Sequence, residues 1–212
     1  MTSLQAHQEY DEDGIPDGAL DPDPIAQFTA WLRDAENSGL PDPNAMVLGT
    51  VEPDGRPSSR TVLLKGLDGG RFTFFTNRDS HKGAALAHEP RVSLLFPWYG
   101  LHRQVRVEGT AEVAPDSVSD AYWATRPRAA QLGAWASAQS EPVADRAGLD
   151  ARQAAVDARF DGVETVPRPE HWGGYLVTPA SLEFWQGRRA RLHDRLLYES
   201  SGGGWSITRL QP

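Results

Sequence analysis

Between Phe184 and Arg195 the chain packs an aromatic pair, four arginines and a histidine into twelve residues, Phe184-Trp-Gln-Gly-Arg-Arg-Ala-Arg-Leu-His-Asp-Arg195. Clustered cations repel one another unless an anion or acidic neighbours offset them. Guanidinium forks grip phosphate or carboxylate at two points, and an aromatic face beside them stacks on a planar ring. The stretch therefore suits a planar, anionic ligand. A basic, partly buried C-terminal hairpin would have the same composition, and both readings stand at this point.

Other segments carry chemistry of the same kind. Arg60, Thr61, Val62, Leu63, Leu64 and Lys65 read as a strand with a cation at each end. In a regular strand Arg60 and Lys65 have opposite parity, so they serve different anions or simply flank an apolar run. Phe75-Thr-Asn-Arg-Asp-Ser-His-Lys82 places hydroxyls, a histidine and a lysine in a loop that enters a helix near Asp79. Free N–H groups at such a start can donate to a phosphate, although ordinary capping by Asp79 or Ser80 explains the same residues. Gln104, heading a strand, carries an amide that matches a heterocycle's carbonyl and ring nitrogen, or merely a solvent face. Tyr122, Arg126 and Arg128 fall where one helix ends and the next begins, a place where cations also complement the helix dipole.

Some chemistries are disfavoured. No Gly-x-Gly-x-x-Gly or Walker-type loop is present, so side chains must hold any phosphate. The histidines outside the arginine cluster (His7, His81, His88, His102, His171) show no metal-ligand spacing, and no metal is expected. The absence of cysteine removes disulfides and thiolate chemistry and is compatible with a cytoplasmic protein. A net charge of -8 argues against nucleic acid as a partner. No apolar run reaches the length of a membrane span, and no secretory leader is read at the N-terminus.

The elements that must position these residues follow from pattern. Residues 1–23 are acidic, proline-interrupted and free of Lys and Arg; they are expected to be a mobile segment, with Tyr10 the residue able to reach a ligand. Residues 24–212 are expected to form a single domain. Asp23-Pro24 starts a helix with Ile25, Phe28 and Leu32 as its apolar stripe and Gly39 as its stop. Strands are predicted over 45–52, 57–66, 71–76, 91–98 and 101–113, with Val105, Val107, Ala111 and Val113 on one face. Helices follow over 115–125, 128–136 and 145–160, then strands over 174–178, 181–186, 192–199 and 204–209. Strands arriving as hairpins predict a mostly β protein, an antiparallel barrel with inserted helices.

Taken together, Arg60-Thr-Val-Leu-Leu-Lys65, Thr76-Asn77 with Ser80 and Lys82, Arg91-Val-Ser-Leu-Leu-Phe-Pro-Trp98, Arg126-Pro-Arg128, Gly133-Ala-Trp135, Gln139-Ser140, Phe184-Trp-Gln-Gly187 and Arg191-Leu-His-Asp-Arg195 resemble one pattern. It is that of the pyridoxine/pyridoxamine 5'-phosphate oxidases, FMN enzymes of the split-barrel flavoprotein group, and it extends from about Pro24 to Pro212. The resemblance implies an FMN-binding split β-barrel and a homodimer with FMN at the subunit interface. It implies that Arg60 and Lys82 hold the FMN phosphate with Phe75, Thr76 and His81 nearby, along the strand Thr61 to Lys65. Gln104, Gln139, Ser140, Trp185 and Arg195 would line the flavin. Lys65, Tyr122 and Arg126 would grip a substrate phosphate, Arg191 and His193 would act at the pyridine ring, and Tyr10 would lie in a lid.

The implied reaction moves a hydride from the substrate's C4' to flavin, then electrons to O2, giving pyridoxal 5'-phosphate and hydrogen peroxide in vitamin B6 metabolism. Three positions depart from the pattern: Ala130 stands for a serine, His81 for an arginine and His7 for an arginine. Alternatives are an oxidase of another reduced heterocycle such as a dihydrophenazine, a deazaflavin F420 reductase, or a non-catalytic flavin or pyridoxal phosphate carrier.

Overall fold

The computed structural model describes residues 9–10 and 14–212. The first helix, α1 (Pro24–Asn37), begins where Asp23 accepts a hydrogen bond from the Ile25 N–H at 2.9 Å, with Pro24 in its first turn. Its buried face is Phe28, Trp31 and Ala35, while Ile25 and Leu32 are only partly covered. The apolar stripe is thus rotated from the one expected. Phe28 lies edge-on to Phe72 and Phe96 at 5.0 and 4.7 Å, and so joins helix to sheet.

Among the described residues, eight strands form one antiparallel sheet: β1 (Ala45–Val51), β2 (Pro57–Leu63), β3 (Phe72–Asn77), β4 (Arg91–Trp98), β5 (Arg103–Val113), β6 (Trp172–Gln186), β7 (Asp194–Ser201) and β8 (Gly204–Leu210). The order is β2-β1-β4-β5-β6-β7-β8, with β3 beside β6 on the same edge as β7. The first half of β6 pairs with β3, its second half with β7, and β5 runs beside both. Past the end of β2, the Lys65 N–H donates to the Thr73 carbonyl and the Thr73 N–H to that of Gly66, which ties β3 back to β2. Six strands therefore close on themselves while the β7–β8 hairpin runs off, and this divergence along β6 is what splits the barrel.

The break expected between 178 and 181 is not a break. β6 is continuous across Pro179, and the register steps from Glu108↔Ser181 to Gly109↔Pro179, leaving Ala180 as an extra residue. Pro179 has no N–H to give a ladder, and a bulge accommodates it. A side chain on Gly109 would meet the Thr178 carbonyl at 2.3 Å, so only glycine fits opposite. Val113, expected inside, is 53% exposed at the end of β5.

Helices α2 (His81–His88), α3 (Asp116–Thr125), α4 (Arg128–Ala136) and α5 (Arg146–Arg159) are inserted between strands. The last three cover a small second core of Trp123, Phe160, Val166 and Trp172. In the N-terminal segment Ile15 is buried in the main core, its N–H bonded to Asp194 at 2.8 Å. Among the described residues, no helix is long and apolar enough to cross a membrane, and no cluster of His, Asp and Glu is placed to hold a metal.

Candidate active site

Ser80 caps α2, with its hydroxyl oxygen accepting from the Gly83 N–H at 3.4 Å. This cap aims Lys82 inward. Its ammonium is buried (8% exposed) and donates to Ser80 Oγ at 3.1 Å and Gln139 Oε1 at 2.7 Å. Thr76, at the end of β3, shares the same Gln139 oxygen at 3.2 Å, and Ser140 Oγ accepts from the His81 N–H at 3.3 Å. Burial pushes the Lys82 pKa down, and the nearby charge of Arg60 adds to the effect. Among the described residues no carboxylate pairs with Lys82.

Arg60 shares its parity with inward-packing Val62 and is fixed by Thr50 Oγ1 and Ser58 Oγ, both at 2.7 Å, with Glu52 more distant at 3.7 Å. Burial also lowers its pKa, opposed by Glu52. Two cations held by hydroxyl and amide oxygens, beside a helix start, make a cradle suited to a phosphate. Leu64 is buried, Val62 half-buried, and Thr61 and Leu63 point outward.

Thr76 and Gln139 also border a neighbouring cleft of about 290 Å³ that contains Phe75, Arg126 and Trp172. Phe75 stacks on Tyr122 at 4.0 Å and 11°, and Trp172 lies nearly parallel to both rings. The Arg126 guanidinium sits 4.7 Å over Trp172 and donates to the Ala130 carbonyl at 2.9 Å, but its Nε is buried without a partner. Burial lowers its pKa, against a raising influence of Tyr122. A desolvated guanidinium with an unused donor is a second place for an anion.

The third group lies on the outer face of the sheet. Gln104↔Trp185, Arg106↔Glu183 and Trp185↔Arg195 are register pairs, so these five side chains share the face opposite core residues Val105, Leu182, Phe184 and Leu196. They border a cleft of about 240 Å³ together with His193. His193 packs on Trp185 at 4.7 Å, and Tyr10 meets His102, His193 and Trp185 at 4.5, 5.6 and 6.1 Å. A side chain on Gly187 would strike the Tyr10 ring at 2.9 Å. His193 Nδ1 accepts from the Arg188 N–H at 3.0 Å, which places the proton of the neutral ring on Nε2. Burial and the Arg191 charge both push its pKa down. Arg191 is exposed in a turn where Ala190 and Arg191 take φ of 56° and 61°, a strained backbone for residues with side chains.

The expected site residues thus gather in two places. Arg60, Phe75, Thr76, His81, Lys82, Gln139 and Ser140 adjoin Tyr122 and Arg126, whereas Gln104, Trp185, Arg195, His193 and Tyr10 meet on the outer face. Lys65 joins neither. It is exposed beside Leu32, Glu36 and Asn44, so within one chain it is not brought to Tyr122 and Arg126. His7 lies outside the described residues. Sequence reasoning missed Glu183, which is 4% exposed and bonded to both Arg106 and Arg195, and it gave no role to Asp194, a buried partner of Arg209 and the Ile15 N–H. The pairing of Glu183 with Arg106 depends on strand register, which residue types alone do not reveal.

Comparison with known proteins agrees with this architecture. Residues 32–160 match the family model described as pyridoxamine 5'-phosphate oxidase, and residues 172–212 that of the pyridoxine 5'-phosphate oxidase C-terminal dimerisation region. The chain is 56% identical over 205 residues to the pyridoxine/pyridoxamine 5'-phosphate oxidase of Rubrobacter xylanophilus, covering 97% of this chain and 94% of that one. It is 50% identical over 216 residues to the protein of the same name from Burkholderia mallei, with all of both chains covered. The crystal structure of PhzG from Burkholderia lata 383 in complex with tetrahydrophenazine-1-carboxylic acid superposes with a TM-score of 0.85 at 34% identity, over 91% of this chain and 94% of that one. An FMN binding protein from Nostoc punctiforme shares the fold, at TM-score 0.72 and 18% identity over 91% of this chain and 100% of that one. The chain is therefore an oxidoreductase of the pyridoxamine 5'-phosphate oxidase family.

Proposed function

We propose that this chain is an FMN-dependent oxidase of pyridoxine 5'-phosphate or pyridoxamine 5'-phosphate, forming pyridoxal 5'-phosphate with O2 as acceptor and releasing hydrogen peroxide. The observation that carries the reading is the presence of two separate, desolvated cationic places. Lys82 with Arg60 suits the phosphate of FMN. Arg126, with its unpartnered Nε beside the Phe75, Tyr122 and Trp172 rings, suits the phosphate of a substrate. When bound, FMN supplies the two-electron acceptor for the hydride leaving the substrate's C4'.

The chain's own residues bind and orient. Gln104, Trp185 and Arg195 lie half-buried on the outer sheet face, apart from the Lys82 and Arg60 cradle, and a second copy would bring this half of the site to the other. A broad hollow of about 720 Å³ on β1, β2, β4 and β5 adjoins the cradle through Thr50 and Ser58, and we assign it to that contact. Lys65 reaches a substrate phosphate only across the same contact. His193 donates from Nε2 to a ring substituent, Arg191 positions the substrate and eases proton loss, and Tyr10 covers Trp185 and excludes water.

The likeness to PhzG keeps a second reading, an oxidase of a reduced tricyclic heterocycle. Substrate competition separates the two. The proposal expects pyridoxine 5'-phosphate to be oxidised, pyridoxine without phosphate to be a poor substrate, and Arg126→Leu to remove most of that difference. Equal rates with and without phosphate, or faster oxidation of a dihydrophenazine carboxylate, would overturn it.

A further inference from the structure

Glu183 is a buried carboxylate between two arginines, and the proposed chemistry does not use it. Its Oε1 accepts from Arg195 Nε at 2.7 Å, and its Oε2 from Arg195 Nη2 at 3.1 Å and Arg106 Nη2 at 2.9 Å. Both carboxylate oxygens are thus committed to guanidinium protons. Arg195 is further fixed by the Gln211 carbonyl at 3.1 Å. The arginines are unequal in their other partners, because Arg106 also meets Glu108 at 3.4 Å, whereas Glu183 is the one carboxylate that the described residues offer Arg195. The three charges share one strand face with Gln104 and Trp185.

We propose that Glu183 is a positioning residue that aims Arg195 across the outer face and sets how much positive charge the flavin ring meets there. This rests on the reading that Gln104, Trp185 and Arg195 line the FMN ring. A fork held along its Nε–Nη2 edge turns its remaining N–H groups away from the carboxylate, so ring contacts come from a fixed direction. A cation beside the ring favours its electron-rich state, and the carboxylate damps that preference. Arg106 competes with Arg195 for the same carboxylate. Removing Arg106 leaves Glu183 wholly to Arg195 and increases the damping, while removing the Glu183 charge abolishes it.

The test is the midpoint potential and dissociation constant of bound FMN in three full-length proteins: wild type, Glu183→Gln and Arg106→Met. Glu183→Gln is expected to raise the potential and to weaken FMN binding about tenfold through loss of aim, with Arg106→Met moving the potential the opposite way. A role in folding alone would lower the melting temperature of the apo-proteins and leave both flavin potentials at the wild-type value; that result overturns the proposal. Potentials that move in the same direction in both variants overturn the shared-carboxylate account. Should Glu183→Gln fail to fold, Glu183→Asp takes its place: it keeps the charge but draws the carboxylate back from the Arg195 fork, so FMN binding is expected to weaken about tenfold, and unchanged affinity overturns the proposal. Wild-type protein that takes up no FMN would instead remove the flavin reading, and this inference with it.

Discussion

At the scale of single residues, the site spends stability on binding. Lys82 is buried with no carboxylate beside it among the described residues, and its pKa lies below the ordinary 10.5. Between that depressed value and 10.5 the unfolded chain binds more protons here than the folded one, so apo-protein stability rises with pH across the window. A bound phosphate favours the ammonium and reverses the preference. FMN affinity is accordingly expected to fall as pH rises through the depressed pKa, beginning below 10.5, in a titration followed by flavin fluorescence. Lys82→Met is expected to raise the apo melting temperature while weakening FMN binding at least about tenfold; a variant that loses both stability and affinity would contradict this. Arg191→Ala is expected to cut turnover by about 10²-fold or more with FMN content unchanged. Normal turnover in that variant removes the main catalytic assignment. Ala130 presents only a methyl group, with its carbonyl already taken by Arg126. Restoring a hydroxyl with Ala130→Ser adds one donor to a phosphate, worth about 1 kcal/mol, so KM should fall about fivefold with kcat unaltered.

At the scale of elements, the bulge at Gly109, Pro179 and Ala180 lets β6 serve two neighbours in turn. Gly109→Val drives a side chain into the Thr178 backbone, which has no room to yield. The expected cost is about 3 kcal/mol, a fall of about 6–12 °C in Tm for a chain of this size. An unchanged thermal melt would show that the bulge is not constrained there. This same feature marks the limit of what the residues disclosed. The Asp23-Pro24 start of α1 and the strand pair expected over 45–52 and 57–66 rest on local signals and were legible. Pro179 read as an ending, because a proline removes a ladder donor and only the facing strand shows that a bulge absorbs the loss. Trp31 escaped the stripe read along α1, since Ile25, Phe28 and Leu32 define an equally apolar stripe and tertiary packing chooses between them. In the site, the cations and aromatics were visible as types. Glu183 was not, because its meaning comes from Arg106 across a strand pair and Arg195 on the next strand.

At the scale of the whole molecule, the candidate residues fall into two groups: the cations Arg60 and Lys82 with Gln139, and the aromatic and arginine face of β5, β6 and β7. Residues 172–212, which match the family's dimerisation region, supply most of the second. If FMN joins the halves of two copies, its binding and dimerisation must strengthen each other by one factor. Sedimentation of the apo and FMN-loaded forms is expected to show a tighter dimer with FMN; equal dimer stability in both would place the cofactor within a single chain. The central claim, oxidation of a phosphorylated pyridine at a bound flavin, is tested most directly by oxygen uptake on FMN-loaded protein with pyridoxamine 5'-phosphate and pyridoxine 5'-phosphate supplied separately. The account predicts oxygen consumed in step with pyridoxal 5'-phosphate formed, at one aldehyde per O2. Bound FMN with no aldehyde from either substrate would contradict it.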